Sequence, residues 1–523
     1  MKNTKNVIIS LFIVTLFGLT ACGQTQKDDA VSEKLVFAAE YQPDCADILG
    51  SCAIDINATW QFKALTIPSA FELGSNGEYQ PTLLLEGEPV TESVNGKFIV
   101  NYKINPAAKW NDGKPITAQD FVYTWKEITT GEDILDTLGY EDIENIEIVS
   151  EKEARVIFSK PYPAYKEVFA GFYGVLPSHI LEGKNRQKIM ERGYKFSGGP
   201  YQMKEWKTDE SLTFEANPNW WGKKSDVKEF TFKYIEDEKA QLNSISKEDI
   251  VAAYLTSGES YEIPSVAKEI KGKDLAFEAL NFNAESIPEV EVRQALAYSV
   301  DREEVSKTVL GKSDVYNTII PLNKDYSEFG QYKFNVKKAK ELMQGAGYKQ
   351  KDKVWHKDGK KLSLVFSTTS GDSVRDNETV VLLRGWKEAG FDIKVKNADP
   401  DALFDKVQPE GEFDITLSAI YTTADIGLCS SFCSTTLAPE GPNISRYTTS
   451  RLDELLVAAE QEVDRNVRKD IIKQAAEIIA TDVPVLPLFQ PNVSFVYNKN
   501  ISNVTYTDPI SGPWANVHLW EIK

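Results

Sequence analysis

Residues 361 to 396 constrain the fold more than any other stretch of this chain. Lys361 to Phe366 has strand character, Glu378 to Ala389 carries helical spacing, and Phe391 to Lys396 is strand-like again. Gly390 stands where the helix would end. Two strands joined through a helix lie parallel, because the crossover carries the chain back to its starting edge. Phe413 to Ala419 supplies a further strand. Leu452 to Val463 and Val467 to Ile479 read as helices, the second with Val467, Ile471, Ala475 and Ile478 on one face. Pro484 and Pro487 then break the pattern before a β-rich tail.

Elsewhere the pattern changes. Phe98, Val100, Tyr102 and Ile104 alternate as in a half-buried strand, and Asn111-Asp112-Gly113 reads as a tight turn. Thr117 to Asp120 forms a capping box that opens a helix through Phe121, Val122 and Trp125. Gly198 to Tyr201 is a second break. Val292 to Val300 is an amphipathic helix, and another runs from Asn335 to Gln344 and stops at Gly345 and Gly347. A chain of 523 residues exceeds one ordinary domain. The expected class is α/β with more than one lobe.

The N-terminus points to export. Lys2 and Lys5 precede an apolar run from Val7 to Gly18, and Leu19-Thr20-Ala21-Cys22 follows. The run is shorter than the roughly 20 residues a spanning helix needs, and the order of charged, apolar and small residues is that of a secretory signal. A cysteine at the cleavage point resembles the bacterial lipoprotein box, in which the thiol is acylated. Residues 1–21 are thus expected to be removed, with Cys22 lipidated and 22–34 acting as a polar tether. The formal net charge of −19 argues against nucleic acid and against electrostatic binding to anionic lipid. Membrane attachment would come from the acyl chains.

Four other cysteines form two close pairs, and outside the cytoplasm such pairs oxidise. Proximity favours Cys45–Cys52 and Cys429–Cys433. The rival reading is a zinc site. Neither pair has the two-residue spacing of a zinc knuckle, and His179, His356 and His518 are scattered. No metal and no cofactor is expected.

Four motifs occur in order: Lys109 to Phe121 (KWNDGKPITAQDF), Gly199-Pro200-Tyr201, Asn217 to Gly222 (NPNWWG) and Val292 to Tyr298 (VRQALAY). Together, behind a lipoprotein signal, they resemble family 5 of the extracellular solute-binding proteins, the peptide-type ABC importers' capture components. The resemblance implies an α/β, two-lobed periplasmic-binding-protein-like fold, type II and cluster C-like, with an extra subdomain in the first lobe. Residues 35–59, 184–276 and 488–523 would form the discontinuous first lobe, 60–183 the extra subdomain, and 277–487 the second lobe. The strand crossings would fall near Leu280 to Asn283 and Phe489 to Phe495. The Trp110 to Phe121 stretch meets folding needs, so Asp112 and Asp120 are read as architectural, and Arg293 as holding its helix.

The resemblance also places a ligand. An enclosed ammonium needs a carboxylate partner. Peptide-binding members use an Asp in an Ala-Asp step after a second-lobe strand, and Ala424-Asp425 matches it. The alternative for Asp425 is a turn or capping role. The aromatic usually found shortly before that Asp is missing, with Tyr421 close by. The Asp-Pro step is replaced by Ile426 to Cys429, and Thr416 to Ala419 offers no Arg for a ligand carboxylate. Asn281 and Asn283 are candidate hydrogen-bonding residues at the crossing. Tyr41, Tyr421 and Phe489 are candidate apolar walls, with core packing as their alternative.

No G-x-S-x-G, H-E-x-x-H or P-loop pattern is present, so an enzyme is not expected. The expected role is capture of di- or oligopeptides by a lipid-anchored, monomeric, extracytoplasmic protein that delivers to ABC permease subunits. The alternatives are a surface sensor or adhesin, or capture of an oligosaccharide, opine or metal chelate.

Overall fold

The computed structural model describes residues 34–523 apart from 54–55, 60, 75–78, 86, 88, 171–172, 257–260, 275, 321–326, 421–426 and 506–511. The first strand, β1 (Lys34–Ala39), lies at the centre of a seven-stranded sheet. Next comes a four-stranded antiparallel sheet of β2 (Val90–Val94), β3 (Lys97–Lys103), β4 (Ile143–Ser150) and β5 (Glu153–Phe158), in the order β2-β3-β5-β4. Phe98, Val100 and Tyr102 of β3 are buried, as the alternation predicted. Helix α1 (Ala118–Thr130) is inserted between β3 and β4.

The chain returns to the large sheet as β6 (Tyr201–Lys207), β7 (Ser211–Ala216), β8 (Glu229–Tyr234), β9 (Ala252–Leu255) and β10 (Ala267–Lys273). It then builds a five-stranded sheet from β11 (Phe277–Phe282), β12 (Ser363–Ser367), β13 (Asp392–Val395), β14 (Ile415–Ile420) and β15 (Val485–Phe489), before β16 (Asn492–Asn498) closes the first sheet. The sheet orders are β10-β16-β9-β1-β8-β7-β6 and β13-β12-β14-β11-β15. Around the second sheet lie α2 (Val290–Tyr298), α3 (Val336–Gly345), α4 (Ser373–Ala389), α5 (Leu428–Phe432), α6 (Ser450–Gln461) and α7 (Arg465–Asp482).

Each large sheet has its own core. One gathers Phe37, Trp110, Phe121, Phe214 and Trp520 and serves both the seven-stranded and four-stranded sheets. The other gathers Leu280, Leu296, Phe366, Trp386 and Ile479. The chain passes between the sheets twice, from β10 to β11 and from β15 to β16. These passages run side by side: Asp274 N–H donates to Pro491 O (3.0 Å) and Gln490 Nε2 to Asp274 O (2.6 Å). The first passage lies earlier than expected, so Leu280 to Asn283 belong to the second sheet and its following turn, not to the crossing.

The β-α-β reading holds in register. β12 and β13 pair in parallel, Ser363 opposite Asp392, and Gly390 ends α4 with a φ of +96°. Any side chain there would also meet Gln350 Nε2 at 2.2 Å. Helix α4 begins at Ser373, five residues before the expected start, because Asp372 caps it. The predicted face of α7 is turned by about one residue. Ile472, Ala475, Ala476 and Ile479 are buried, whereas Val467 is exposed in the first turn, where the helix has not yet met the core. Pro487 lies inside β15, which is tolerated because β15 is the sheet edge and its pairing with β11 carries an irregularity at Glu278/Ala279.

Three of the four motifs form one junction. Asp120 Oδ1 accepts from Ser178 N (2.8 Å) and Oγ (2.7 Å), and Oδ2 accepts from Thr117 N (2.8 Å) and Trp110 Nε1 (3.3 Å). Asn219 Nδ2 donates to Asn111 O (2.7 Å) and Asn217 Nδ2 to Gly199 O (2.8 Å), which joins three motifs directly. A Cβ at Gly199 would stand 2.3 Å from Leu65 O, so only glycine lets the two backbones touch. Arg293 is 2% exposed and donates to Asp482 O (2.9 Å) and Ile287 O (2.8 Å), holding α2 to the end of α7.

Candidate functional site

In the second sheet β12 lies between two parallel neighbours, β13 and β14. Crevices in such sheets open beyond the carboxyl ends of the strands, where the connections part to either side. Here the chain leaves β12 through Thr368 to Asp372 and enters α4. Asp372 Oδ1 accepts from Val374 N (2.8 Å) and Arg375 N (3.2 Å), so the capping residue and the first helical turn are fixed at that edge. Thr368 Oγ1 donates to Leu417 O (2.9 Å) and locks the end of β12 to β14.

A cavity of about 760 Å³ opens there, within the range of small-molecule sites. Its floor is the face of β11 and β14 that carries Phe277, Asn281, Ser418 and Ile420. One wall is α5, presenting Leu428, Ser431 and Phe432. Phe404 is half exposed and lines the cavity from a π-helical turn (Leu403–Val407), a distortion that re-aims side chains. Behind it Gln408, also in the lining, donates from Nε2 to Thr416 Oγ1 (3.3 Å).

Two polar atoms in this lining have no partner. Asn281 is 5% exposed and its Nδ2 donates to nothing among the described residues, and Thr369 Oγ1 is likewise unpaired among them. An unmatched buried donor costs about 1–3 kcal/mol, so each is positioned to gain from a ligand acceptor.

Arg375 also faces the cavity, and carboxylates hold it from behind. Its Nη1 and Nη2 pair with Glu278, the second at 3.0 Å, and Nη1 lies 3.3 Å from Glu378 Oε2. Burial pushes the Glu378 carboxyl up to about 8, the nearby Glu278 charge adds to the rise, and Arg375 opposes it. Glu378 therefore keeps its proton near neutral pH while Arg375 is neutralised by Glu278.

Of the predicted ligand residues the structure brings Asn281 to the cavity. Asn283 is committed elsewhere: Nδ2 donates to Phe413 O (3.1 Å) and Oδ1 accepts from Glu285 N (3.1 Å). Phe489 is 1% exposed in the second core, opposite Glu278. Tyr41 follows β1, is exposed, hydrogen-bonds Glu40, and offers its carbonyl to Gln61 Nε2 (2.7 Å). Asn283, Phe489 and Tyr41 are not in the described lining of the cavity. Tyr421, Asp425 and Cys22 lie outside the described residues. Cys45–Cys52 and Cys429–Cys433 are bridged, the second across the α5 wall. No cluster of metal-ligating side chains occurs among the described residues.

Sequence reasoning missed Thr369, Asp372, Arg375, Phe404 and Gln408. The available signal was Ser370-Gly371-Asp372, a turn ending in a helix cap directly after a strand.

The sequence profile of the bacterial extracellular solute-binding proteins, family 5, matches residues 80–434. This chain belongs to that family. Family 5 relatives include the oligopeptide-binding protein AppA of Bacillus subtilis, 26% identical with 97% of this chain and 96% of AppA covered. The periplasmic murein peptide-binding protein MppA of Escherichia coli is 23% identical over 94% of each chain. Among solved structures, a periplasmic EDTA-binding protein EppA superposes with a TM-score of 0.81 at 19% identity, covering 94% of this chain and 96% of that one. AppA in complex with a nonapeptide gives 0.74 at 23% identity, covering 94% and 99%. The fold is thus the two-lobed α/β fold of family 5. No helix among the described residues is long and apolar enough to cross a membrane.

Proposed function

We propose that this chain captures peptides outside the cytoplasm and delivers them to the permease subunits of an ABC importer, without chemical change to the cargo. The observation that carries the reading is the cavity beyond β12, where Asn281 Nδ2 and Thr369 Oγ1 have no partner among the described residues and Phe277, Phe404 and Phe432 supply apolar walls. A peptide in extended form presents backbone carbonyls that accept from such donors, while its side chains meet Phe277, Phe404 and Phe432. The peptide-binding names of the full-length relatives support the same cargo.

In this reading the first lobe (35–59, 184–276, 488–523), with its subdomain (60–183), closes on the second (277–487) about the paired passages near Asp274 and Gln490. The first sheet has its own switch point, since β1 lies between parallel β8 and β9. Thr256 Oγ1 donates to Glu40 Oε2 (3.3 Å) beyond the ends of these strands, beside Tyr41. Asp425 would hold a peptide ammonium, and Cys22 would carry the lipid that tethers the monomer to the membrane.

The test is mass spectrometry of small molecules released from the exported protein, followed by calorimetry with the peptides found. Small-angle scattering should show a more compact particle with peptide bound. Release of sugars or metal chelates in place of peptides would overturn the cargo. Labelled fatty acid should enter the wild type and not Cys22→Ala.

A further inference from the structure

Arg375 and Asp372 are the charged side chains in the described lining of the cavity. Arg375 reaches it from the first turn of α4, and Glu278 reaches back to Arg375 from β11, beneath the floor. The pair is bidentate and close to buried, with side chains 12% and 11% exposed, and Glu378 behind it is fully buried. A guanidinium gripped by a carboxylate in fork geometry is a spent cation, because a second carboxylate would have to displace the first and leave it buried and unpaired. With Asp372 at the same edge, carboxylates outnumber the cation even when Glu378 holds its proton. Independently of these charges, the buried Asn281 Nδ2 offers a donor to the same cavity and has no partner among the described residues.

We propose that Glu278 sets the charge preference of the site: by holding Arg375 it turns the Thr369–Asp372–Asn281 pole into a place for an uncharged amide or a cationic side chain, and against a carboxylate. The inference rests on the peptide reading and deepens it. A peptide crosses this pole with internal carbonyls on Asn281 Nδ2 and on Thr369 Oγ1, and its free carboxyl end lies elsewhere. Asp372, whose Oδ1 is occupied by two backbone donors, adds a negative field that favours lysine or arginine side chains nearby.

Two synthetic peptide libraries, identical except for a free or an amidated C-terminus, provide the test. Retention on immobilised protein is read by mass spectrometry, and the best-retained matched pair is then titrated by calorimetry. Wild type should retain amides at least as well as free acids. In Glu278→Gln/Glu378→Gln, where the second carboxylate cannot ionise and take over Arg375, the freed guanidinium should improve binding of free acids relative to amides by about tenfold, the scale of one charge-assisted hydrogen bond. That gain should vanish in Glu278→Gln/Arg375→Gln. A wild type that prefers free acids tenfold or more, or a folded Glu278→Gln/Glu378→Gln with an unchanged acid-to-amide ratio, would overturn the charge preference while leaving peptide capture intact. If that double variant does not fold, the wild-type ratio decides: parity or a preference for amides supports the proposal. Retention of neither library by wild type would overturn the peptide reading itself and this inference with it.

Discussion

The junction around Asp120 and the cavity beside Asn281 are both rich in buried polar groups, yet they differ in how those groups are used. At the junction the Asp120 carboxylate accepts from Trp110, Thr117 and Ser178, and Asn217 and Asn219 tie the neighbouring motifs together. In the cavity Asn281 Nδ2 and Thr369 Oγ1 are left open. The first arrangement stabilises one fold and leaves nothing over for a ligand. The second gives up stability, which under the proposed function a ligand would restore.

Breaking the junction should have the largest effect. Asp120→Ala leaves the Ser178 and Thr117 amides and the Trp110 indole without their acceptor, at about 1–3 kcal/mol for each group that water cannot reach. A total loss of roughly 3–5 kcal/mol should appear as a much lower denaturation midpoint, with the affinity of the remaining folded protein unchanged. A loss of affinity at unchanged stability would move Asp120 from the scaffold to the site.

Removing the α5 bridge should cost less. Cys429→Ser/Cys433→Ser opens a short loop, worth about 2 kcal/mol on the chain-entropy model. Because Leu428, Ser431 and Phe432 line the cavity, the double variant should also bind cargo more weakly and exchange α5 amides faster. Hydrogen exchange confined to regions away from α5 would contradict this coupling.

Asn281→Leu sharpens the contrast from the other side. It removes an unpaired donor, so stability should hold or rise slightly, while affinity for peptide should fall about tenfold for one lost hydrogen bond. Calorimetry and a denaturation curve on the same sample separate the two effects.

The smallest step per pH unit concerns Glu378. Its folded carboxyl is pushed up to about 8, above the ordinary value of 4.5, so the folded state binds the extra proton between these limits. Stability should therefore fall as pH rises from about 4.5 to about 8, by less than about 1.4 kcal/mol per unit, and then level off. Glu378→Gln should be flatter over that window and more stable than wild type at its upper end. Equal slopes for the two proteins would show that Glu378 is already ionised.

The scaffold was easier to read from sequence than the site, and the reasons are local. The β12-α4-β13 unit announced itself through strand, helix and Gly390 spacing, because each piece satisfies its own period. The capping box at Thr117 was equally readable, since its partners are three residues apart. Arg375 was hidden because the buried apolar positions of α4 begin only at Val381, and the first turn, which brings Arg375 to the cavity, is polar. Its partner Glu278 is distant in sequence and comes close only through the pairing of β11 with β14 and β15. Asn283 resembled Asn281 on paper. Asn281 lies within β11 on the open face, whereas Asn283 has left the strand and caps the next turn. The face of α7 was misplaced by one residue because its first turn projects beyond the core.

The central claim is that a peptide completes the open polar groups beyond β12, and native mass spectrometry of the exported protein tests it most directly. Wild type should carry peptide-sized adducts, and Asn281→Leu/Thr369→Val should lose them while keeping the wild-type unfolding midpoint. A double variant that retains the same adducts at the same occupancy would contradict the account and place the cargo elsewhere.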